Sequence, residues 1–190
     1  GPITAETHTA AGAGSGNISF GGAGSIAYTD LSAHSVYDVV PAANYTFNDL
    51  TDPNGRVLIS QGVNSALTGN AQSLLISSQA AIPSFADTYL ANKTNVIVNV
   101  ANGMNGVQAT VNYGIAAPVA GLSSLTVATN LGPDSVKLVA LPPGVPTNVQ
   151  QGDGDDQADV TVQGTVPATA TNLDGGLGNN TLNLDAGGLA

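Results

Sequence analysis

Residues 122–190 read as three successive stretches of similar length: LSSLTVATNLGPDSVKLVALPPG (122–144), VPTNVQQGDGDDQADVTVQGTVPA (145–168) and TATNLDGGLGNNTLNLDAGGLA (169–190). Each stretch begins with a short strand-like run, continues through a turn rich in Gly, Asp or Asn, and then has a second strand-like run. Leu125, Val149 and Leu173 recur at intervals of 24 residues, and Val136 and Val160 are separated by the same interval. Self-similarity at this period is typical of a solenoid, in which stacked coils bury an apolar face that one coil cannot bury alone.

The second run of each stretch alternates polar and apolar residues, as in Ser-Val136-Lys-Leu138 and Thr-Leu182-Asn-Leu184. Alternation of this kind places the apolar side chains on one face of a β-strand. Coils stacked about 4.8 Å apart would set like side chains above each other and pair each backbone amide with the neighbouring coil. The sequence therefore predicts an all-β fold, a β-solenoid with coils of about 24 residues.

The first 90 residues are less periodic, although short strand-like runs still alternate with turns. We predict strands here at residues 17–20, 25–28, 36–40, 44–50, 56–60 and 73–77. Irregular coils or a β-rich cap over one end of the solenoid both fit this half of the chain. We divide the chain into a flexible lead-in or inter-subunit strand (1–16), irregular β-rich coils or a cap (17–93) and regular solenoid coils (94–190). A β-sandwich completed by a neighbour's strand is the alternative fold.

The composition excludes several classes of function. Charged residues make up only 8% of the chain, and the net charge is −10. Nucleic acid and anionic membrane surfaces are excluded as partners, because both need clustered Lys and Arg. No run of 18 apolar residues exists, so we expect no membrane insertion. Cysteine is absent, so backbone ladders and stacked apolar side chains must stabilise the fold.

Two turn-and-strand units resemble those of a known class of proteins. Residues 152–156 (GDGDD) followed by 160–162 (VTV), and residues 174–180 (DGGLGNN) followed by 181–184 (TLNL), are similar to units of bacterial surface proteins. These are the exported, planctomycete-type right-handed β-helix repeat proteins. Residues 16–31 are similar to another unit of the same proteins. The resemblance implies a right-handed parallel β-helix that is secreted or displayed at the cell surface, often within a very long chain.

The densest acidic cluster lies in the turn of the middle stretch. Four carboxylates occur within seven residues, at Asp153, Asp155, Asp156 and Asp159. Hard cations prefer oxygen ligands, so this cluster is a candidate Ca²⁺ site. Asp174, one coil further on, is expected near Asp153. The alternative is a solvated acidic turn in which Asp is favoured by the turn geometry.

Residues 175–182 are similar to the nonapeptide of calcium-binding RTX repeats, in which glycines shape a turn and an Asp binds Ca²⁺. Asn180 stands at the position of that Asp, and only one good copy is present, whereas stacked copies nine residues apart form the RTX site. A simple turn between solenoid strands is therefore the preferred interpretation.

The sequence predicts no catalytic residues. Histidine occurs only at His8 and His34, which we expect to be lone surface residues. A polysaccharide lyase commonly needs Arg or Lys beside acidic or Ca²⁺-binding residues, whereas Arg56, Lys93 and Lys137 are isolated. Aspartates that could serve a glycosidase, such as those at 38 and 49, have no aromatic platform, since Trp is absent and aromatic residues make up 4%.

These observations predict a non-enzymatic structural protein. We expect a secreted or cell-surface β-solenoid that forms a segment or subunit of a surface fibre, filament or adhesin. The repeat rhythm runs to the last residues without a polar cap, so the final coil needs a partner. That partner is either a continuation of a longer chain or the end of another copy, which would give head-to-tail self-association. Alternatives are a module that binds calcium or carbohydrate, and a polysaccharide-active enzyme.

Overall fold

The computed structural model describes residues 3–31, 35–49, 55–63, 72–100, 105–114, 117–163 and 170–188. In these ranges the chain forms sixteen β-strands and no helix. The described residues accordingly contain no helix with the length and apolar character needed to cross a membrane. The strands are β1 (Ile3–Gly12), β2 (Ser15–Ser19), β3 (Ser25–Tyr28), β4 (Ser35–Asp38), β5 (Ala42–Asp49), β6 (Arg56–Val63), β7 (Gln72–Ser78), β8 (Asp87–Leu90), β9 (Lys93–Val100), β10 (Gln108–Asn112), β11 (Ser124–Thr129), β12 (Ser135–Ala140), β13 (Thr147–Gln150), β14 (Gln157–Gln163), β15 (Thr171–Asp174) and β16 (Thr181–Gly188).

The strands form two sheets of eight strands each. Sheet A has the order β15-β13-β11-β9-β5-β1-β2-β3, and sheet B has the order β16-β14-β12-β10-β6-β7-β8-β4. From β9 onward each odd-numbered strand joins sheet A, and the even-numbered strand after it joins sheet B. Such a pair is called a coil below. Neighbouring coils pair in parallel in both sheets. The chain is therefore all-β with two large, mostly parallel sheets, an arrangement compatible with the predicted β-solenoid.

The alternating pattern of β11 illustrates why these segments form strands with one buried face. Leu125, Val127 and Thr129 are buried, and the residues between them are partly exposed. Leu125 lies beside Val96 of β9, and Val127 lies beside Val98. Rows of this kind fill the interior between the two sheets. Burial of each such aliphatic side chain contributes about 1.5–3 kcal/mol to stability, which makes these rows the main source of cohesion.

In sheet A the register of the rows differs by two residues from the sequence prediction at one step. Val149 lies beside Leu173, as the 24-residue spacing predicts. Its partner on the other side is Val127, however, and Leu125 lies beside Thr147. Sheet B shows the same shift. The row of residues 125, 149 and 173 is thus corrected to residues 127, 149 and 173. The coil that begins at β11 is 22 residues long rather than 24, because its turns are shorter.

The N-terminal end of both sheets consists largely of antiparallel strands. β1, β2 and β3 form an antiparallel meander in sheet A, and β6, β7 and β8 form another in sheet B. A small second core lies under these strands, formed by Ile18, Val36 and Ala86. Each of the six strands predicted in the first 90 residues overlaps an observed strand, from β2 to β7, whereas β1 and β8 were not predicted. Residues 3–12, expected as a lead-in or inter-subunit strand, form β1, which pairs with β2 and β5 of its own chain.

The turns stack as closely as the strands do. The backbone N–H of Gly154 donates to the carbonyl of Leu177 in the next coil at 2.8 Å. A Cβ atom on Gly154 would lie 2.1 Å from the carbonyl oxygen of Gly132, and one on Gly178 would lie 1.8 Å from that of Gly154. Only glycine permits this approach, so the glycines of the turns are set by the stacking distance. The turn carrying the predicted metal-binding aspartates belongs to this stack.

Candidate functional site

Three of the four predicted metal-binding aspartates occupy one turn, the fourth lies on the following strand, and their carboxylates have different hydrogen-bond partners. Asp153 Oδ1 accepts a hydrogen bond from the backbone N–H of Leu177 at 3.2 Å. Asp155 Oδ1 accepts one from the backbone N–H of Asn179 at 2.9 Å. The residue facing Asp153 in the next coil is thus Leu177, while Asp174 lies beside Gln150 in the strand register. These two carboxylates tie the turn to the following coil.

Asp156 belongs to a ladder of side chains that links the coils on the buried side of the turns. Asp134 Oδ1 accepts from the backbone N–H of Val107, and Asp156 Oδ1 accepts from that of Asp134, at 2.9 and 2.8 Å. Asn180 Oδ1 accepts from the N–H of Asp156 at 3.0 Å. Asn180, compared above with a calcium ligand, therefore occupies the ladder position of Asp156 one coil later. Burial raises the pKa of Asp134 above its ordinary value.

Asp159 lies apart from the other three aspartates, on the outer face of β14. Its carboxylate accepts hydrogen bonds from Asn183 Nδ2 at 2.8 Å and from Gln157 Nε2 at 2.9 Å. These bonds lower the pKa of Asp159. Within the described part of the chain no group of three or more His, Cys, Asp or Glu side chains could hold a metal ion. Calcium binding by the acidic turn therefore stays a prediction from the sequence.

A second polar cluster, which the sequence did not predict, lies buried near the N-terminal end. It consists of Glu6 of β1, Asp38 at the end of β4 and Lys93 at the start of β9, and it is called the lysine cluster below. Lys93 Nζ donates to Glu6 Oε2 at 2.5 Å and to Asp38 Oδ1 at 2.6 Å. Its third bond, at 2.7 Å, goes to the backbone carbonyl of Val40. The three charged side chains are 1–4% exposed. Lys93 also lies 5.1 Å from the centre of the Tyr45 ring.

His8 extends the buried polar region along the inner face of β1. Its Nδ1 is 3.1 Å from the hydroxyl of Tyr45, and its Nε2 is 2.6 Å from the hydroxyl of Tyr28. The ring packs edge-to-face against Phe47, with the ring centres 5.1 Å apart. Only 1% of the His8 surface is exposed. The expectation of a lone surface histidine at position 8 is therefore wrong, and His34 lies outside the described residues.

Burial changes the protonation of both Glu6 and His8. Burial and the adjacent Asp38 carboxyl raise the pKa of Glu6 to about 7, and together they outweigh the opposing effect of the Lys93 ammonium group. Burial also lowers the pKa of His8 to about 4, although the negative charge of Asp38 opposes the shift. Near neutral pH the histidine is thus neutral, and Glu6 exchanges a proton readily.

The description of Lys93 as an isolated basic residue is also wrong in three dimensions. Sequence separations of 87 residues from Glu6 and 55 from Asp38 hid the cluster. One usable signal was present. Glu6, His8 and Ala10 alternate with polar residues in a segment that the topology pairs in parallel with β5, so all three share its inner face. A charged residue on the inner face of a strand requires a buried partner.

The far end of the molecule presents a different surface. Leu182 and Leu184 of β16 lie beside Ala158 and Val160 in parallel register and so continue the interior rows. They are nevertheless 58% and 65% exposed. β15 and β16 are also the outermost strands of their sheets. Apolar row positions and strand edges are thus exposed together at this end, which is called the open end below.

The chain has no counterpart among the proteins with which it was compared: no protein-family model, no curated protein and no solved structure matches it.

Proposed function

We propose that this chain is a structural segment of an exported surface protein, built as a right-handed parallel β-solenoid with coils of 22–24 residues. The observation that carries the proposal is the difference between the two ends. Antiparallel strands with a core of their own occupy the N-terminal end, whereas the open end exposes Leu182 and Leu184 on the interior rows. This difference supports extension of the molecule at the open end by coils of the same kind.

The physical need for extension follows from the open end. Among the described residues, two exposed leucines and the outer edges of β15 and β16 offer apolar contact and backbone hydrogen bonds to the same partner. A further coil in parallel register satisfies both needs at once. In the proposed assembly a second copy of this chain supplies that coil, and repetition of the contact produces a filament through heterologous contacts.

The resemblance of the turn units to bacterial surface proteins supports the exported location, and the absence of cysteine fits a fold held by ladders rather than disulfides. The described residues also offer little to an enzyme. The acidic turn uses its carboxylates to join coils, and the lysine cluster is shielded from substrate by its burial. A scaffold role accounts for both arrangements.

Self-association through the open end is tested by light scattering over a range of protein concentrations, with electron microscopy of the same samples. We expect the wild-type chain to form oligomers or short filaments, and Leu184→Asp to reduce their mass because it places a charge on an interior row. The matched control is Ile82→Asp, which changes a residue that is 83% exposed and lies between β7 and β8, two strands at the other end of sheet B from β16. Wild-type protein that remains monomeric, as discrete particles, at all concentrations would contradict assembly through this end.

A further inference from the structure

The lysine cluster has the composition and geometry that self-catalysed amide formation requires: a buried lysine, a carboxyl group to acylate it and a second carboxyl group to move protons. We propose that Lys93 Nζ and Asp38 Cγ become joined by an intramolecular isopeptide bond, with Glu6 as the catalytic acid and base. The inference does not depend on the structural role proposed above, since it follows from three side chains and their surroundings.

The reacting groups are already held in contact. Lys93 Nζ is 2.6 Å from Asp38 Oδ1. This oxygen is bonded directly to Cγ, the carbon that the amine must attack. The carbonyl of Val40 and the Glu6 carboxyl bind the other hydrogens of the ammonium group, which fixes the direction of the nitrogen. Well-oriented groups within one molecule react with effective concentrations on the order of 10⁵–10⁸ M. The fold therefore supplies the proximity that a condensation between two free side chains lacks.

The surroundings favour the amide over the ion pair. The three side chains are almost fully buried, and removal of charges from water is costly even when they are paired. Glu6 Oε1 and Asp38 Oδ2 are buried and receive no hydrogen bond from any described residue. An amide replaces the ammonium and one carboxylate by a neutral group, and it removes one of the Asp38 oxygens as water. The burial of the three side chains also disfavours the reverse reaction, hydrolysis, because it limits the access of water.

The reaction balances without any cofactor. Lys93 first gives one proton to the Asp38 carboxylate, which leaves an amine and a carboxylic acid. The nitrogen lone pair then attacks Asp38 Cγ, and the new C–N bond produces a tetrahedral intermediate. Glu6 takes a proton from that nitrogen and delivers it to the departing hydroxyl of Asp38. The C–O bond breaks, one water molecule leaves, and Glu6 returns to its initial protonation state.

The contacts assign different roles to the two carboxyl groups. The backbone N–H of Val40 donates to Asp38 Oδ1 at 3.2 Å and thereby stabilises negative charge on that oxygen during attack. Glu6 Oε2 lies 2.5 Å from Lys93 Nζ, within reach of the proton that must leave this nitrogen. Its raised pKa of about 7 suits a group that both accepts and donates a proton near neutral pH. Asp38 is therefore acylated, and Glu6 relays protons.

The bond would fasten the N-terminal strands to the parallel coils. It joins the end of β4, the outermost strand of sheet B, to the first residue of β9, a strand inside sheet A. The two residues are 55 positions apart, so the cross-link closes a long loop of chain. A covalent link of this kind restricts the unfolded chain as a disulfide does, in a protein that has no cysteine.

Mass spectrometry of the wild-type protein tests the proposal directly. After expression and folding at neutral pH, we expect the denatured chain to be lighter than its sequence mass by one water molecule. Trypsin cleaves an unmodified chain after Arg56, Lys93 and Lys137. The cross-linked chain resists cleavage after Lys93, so residues 1–56 remain attached to residues 57–137. Fragmentation of this product must locate the link at Asp38.

The same digestion separates the isopeptide from other losses of water. Succinimide formation at Asp153-Gly154 or Asp174-Gly175 also removes one water molecule, but it leaves cleavage after Lys93 intact. Unchanged mass, release of residues 57–93 as a free peptide, or a link from Lys93 to Glu6 instead of Asp38 would each overturn the proposal.

Variants then test the role of Glu6. Glu6→Gln keeps the size and the hydrogen-bonding capacity of the side chain but cannot relay the proton, so we expect the full sequence mass, or a water loss that develops far more slowly. Lys137→Arg, an exposed residue on β12, is the matched control and should lose water as the wild type does. Circular dichroism shows whether each variant is folded. A folded Glu6→Gln protein that loses water at the wild-type rate would overturn the catalytic role.

Discussion

His8 is a buried histidine whose two ring nitrogens both have tyrosine hydroxyl partners. A neutral imidazole donates through one nitrogen and accepts through the other, and a hydroxyl group can do either. The contacts to Tyr28 and Tyr45 therefore suit the neutral ring. A charged ring would place a cation in a site almost free of water, with Phe47 against its edge. The tyrosines thus connect β1 to β3 and β5 through a histidine that burial keeps neutral near neutral pH.

This arrangement predicts a loss of stability in acid. The pKa of His8 falls from 6.5 in the unfolded chain to about 4 in the folded chain. Between these pH values the unfolded chain therefore binds a proton at His8 and the folded chain does not. The stabilisation is complete above pH 6.5 and declines as the pH falls through 6.5 towards 4, by about 3 kcal/mol at most. Urea unfolding of the wild type and of His8→Gln across this pH range measures this contribution. The difference between their free energies of unfolding should shrink as the pH falls.

The titration of Glu6 changes the stability in the opposite direction with pH, but Glu6 is present in both the wild type and the His8→Gln variant. Its pKa is raised on folding from 4.5 to about 7, so its contribution is complete below pH 4.5 and is lost as the pH rises through 7. Comparison of the two proteins at each pH cancels this effect. A difference between them that does not change from pH 6.5 to pH 4 would show that His8 is not a buried neutral group.

The residues of the buried clusters show the limit of sequence reasoning. The sequence predicted that the three basic residues are isolated, and they are indeed far apart along the chain. Lys93 acquires its partners only because β1, β4 and β9 meet at one end of the molecule, through pairings that span more than 50 residues. No local pattern contains that information. His8 was assigned to the surface because residues 1–16 were treated as a lead-in rather than as a strand with an inner face.

At the scale of the elements, period-two alternation explains which part of the register could be predicted. Leu125 was placed beside Val149 but lies beside Thr147. A shift of two residues keeps every side chain on its proper face, so the buried positions of β11 and β13 were still identified correctly. The exact offset depends on turn length, which repeats only approximately in the sequence. The inner face was therefore predictable, whereas the alignment of one coil on the next was not.

The stacked turns make a prediction of their own. Gly154→Ala should destabilise the protein by about 1–3 kcal/mol, because the added methyl group meets the carbonyl of Gly132 and forces neighbouring turns apart. Gly144→Ala is the matched control: its Cβ would meet no atom within 4 Å, although its φ of +75° strains an alanine. Urea denaturation of both variants measures the two effects. A Gly154→Ala protein no less stable than Gly144→Ala would contradict close stacking of the turns.

At the scale of the whole molecule, acidic and basic groups are unequally distributed. The chain has 13 acidic and 3 basic residues, and one of the three, Lys93, is buried with two of the carboxylates. Asp153 and Asp155 are exposed in the same turn. Uncompensated negative charge destabilises a compact chain through self-repulsion, and dissolved ions screen it. The molecule therefore depends on its ionic surroundings.

Melting temperatures in salt separate general screening from the predicted calcium site. Sodium chloride should raise the melting temperature of the wild type by screening. Calcium chloride at the same ionic strength should raise it further if the exposed aspartates bind the ion. The double variant Asp153→Asn with Asp155→Asn should lose the additional rise. Equal responses of both proteins to both salts would contradict the calcium prediction from the sequence.

The unequal coils have a consequence for how such a molecule can change in length. One coil step takes 22 residues and the next takes 24, yet both preserve the parallel register of the strands. Small insertions or deletions in the turns are therefore absorbed without disturbing the sheets. Duplicating a single coil would lengthen both sheets by about 4.8 Å and would again leave one strand outermost in each sheet. The length of the two sheets can in this way change in small, uniform steps while the antiparallel strands at the N-terminal end stay the same.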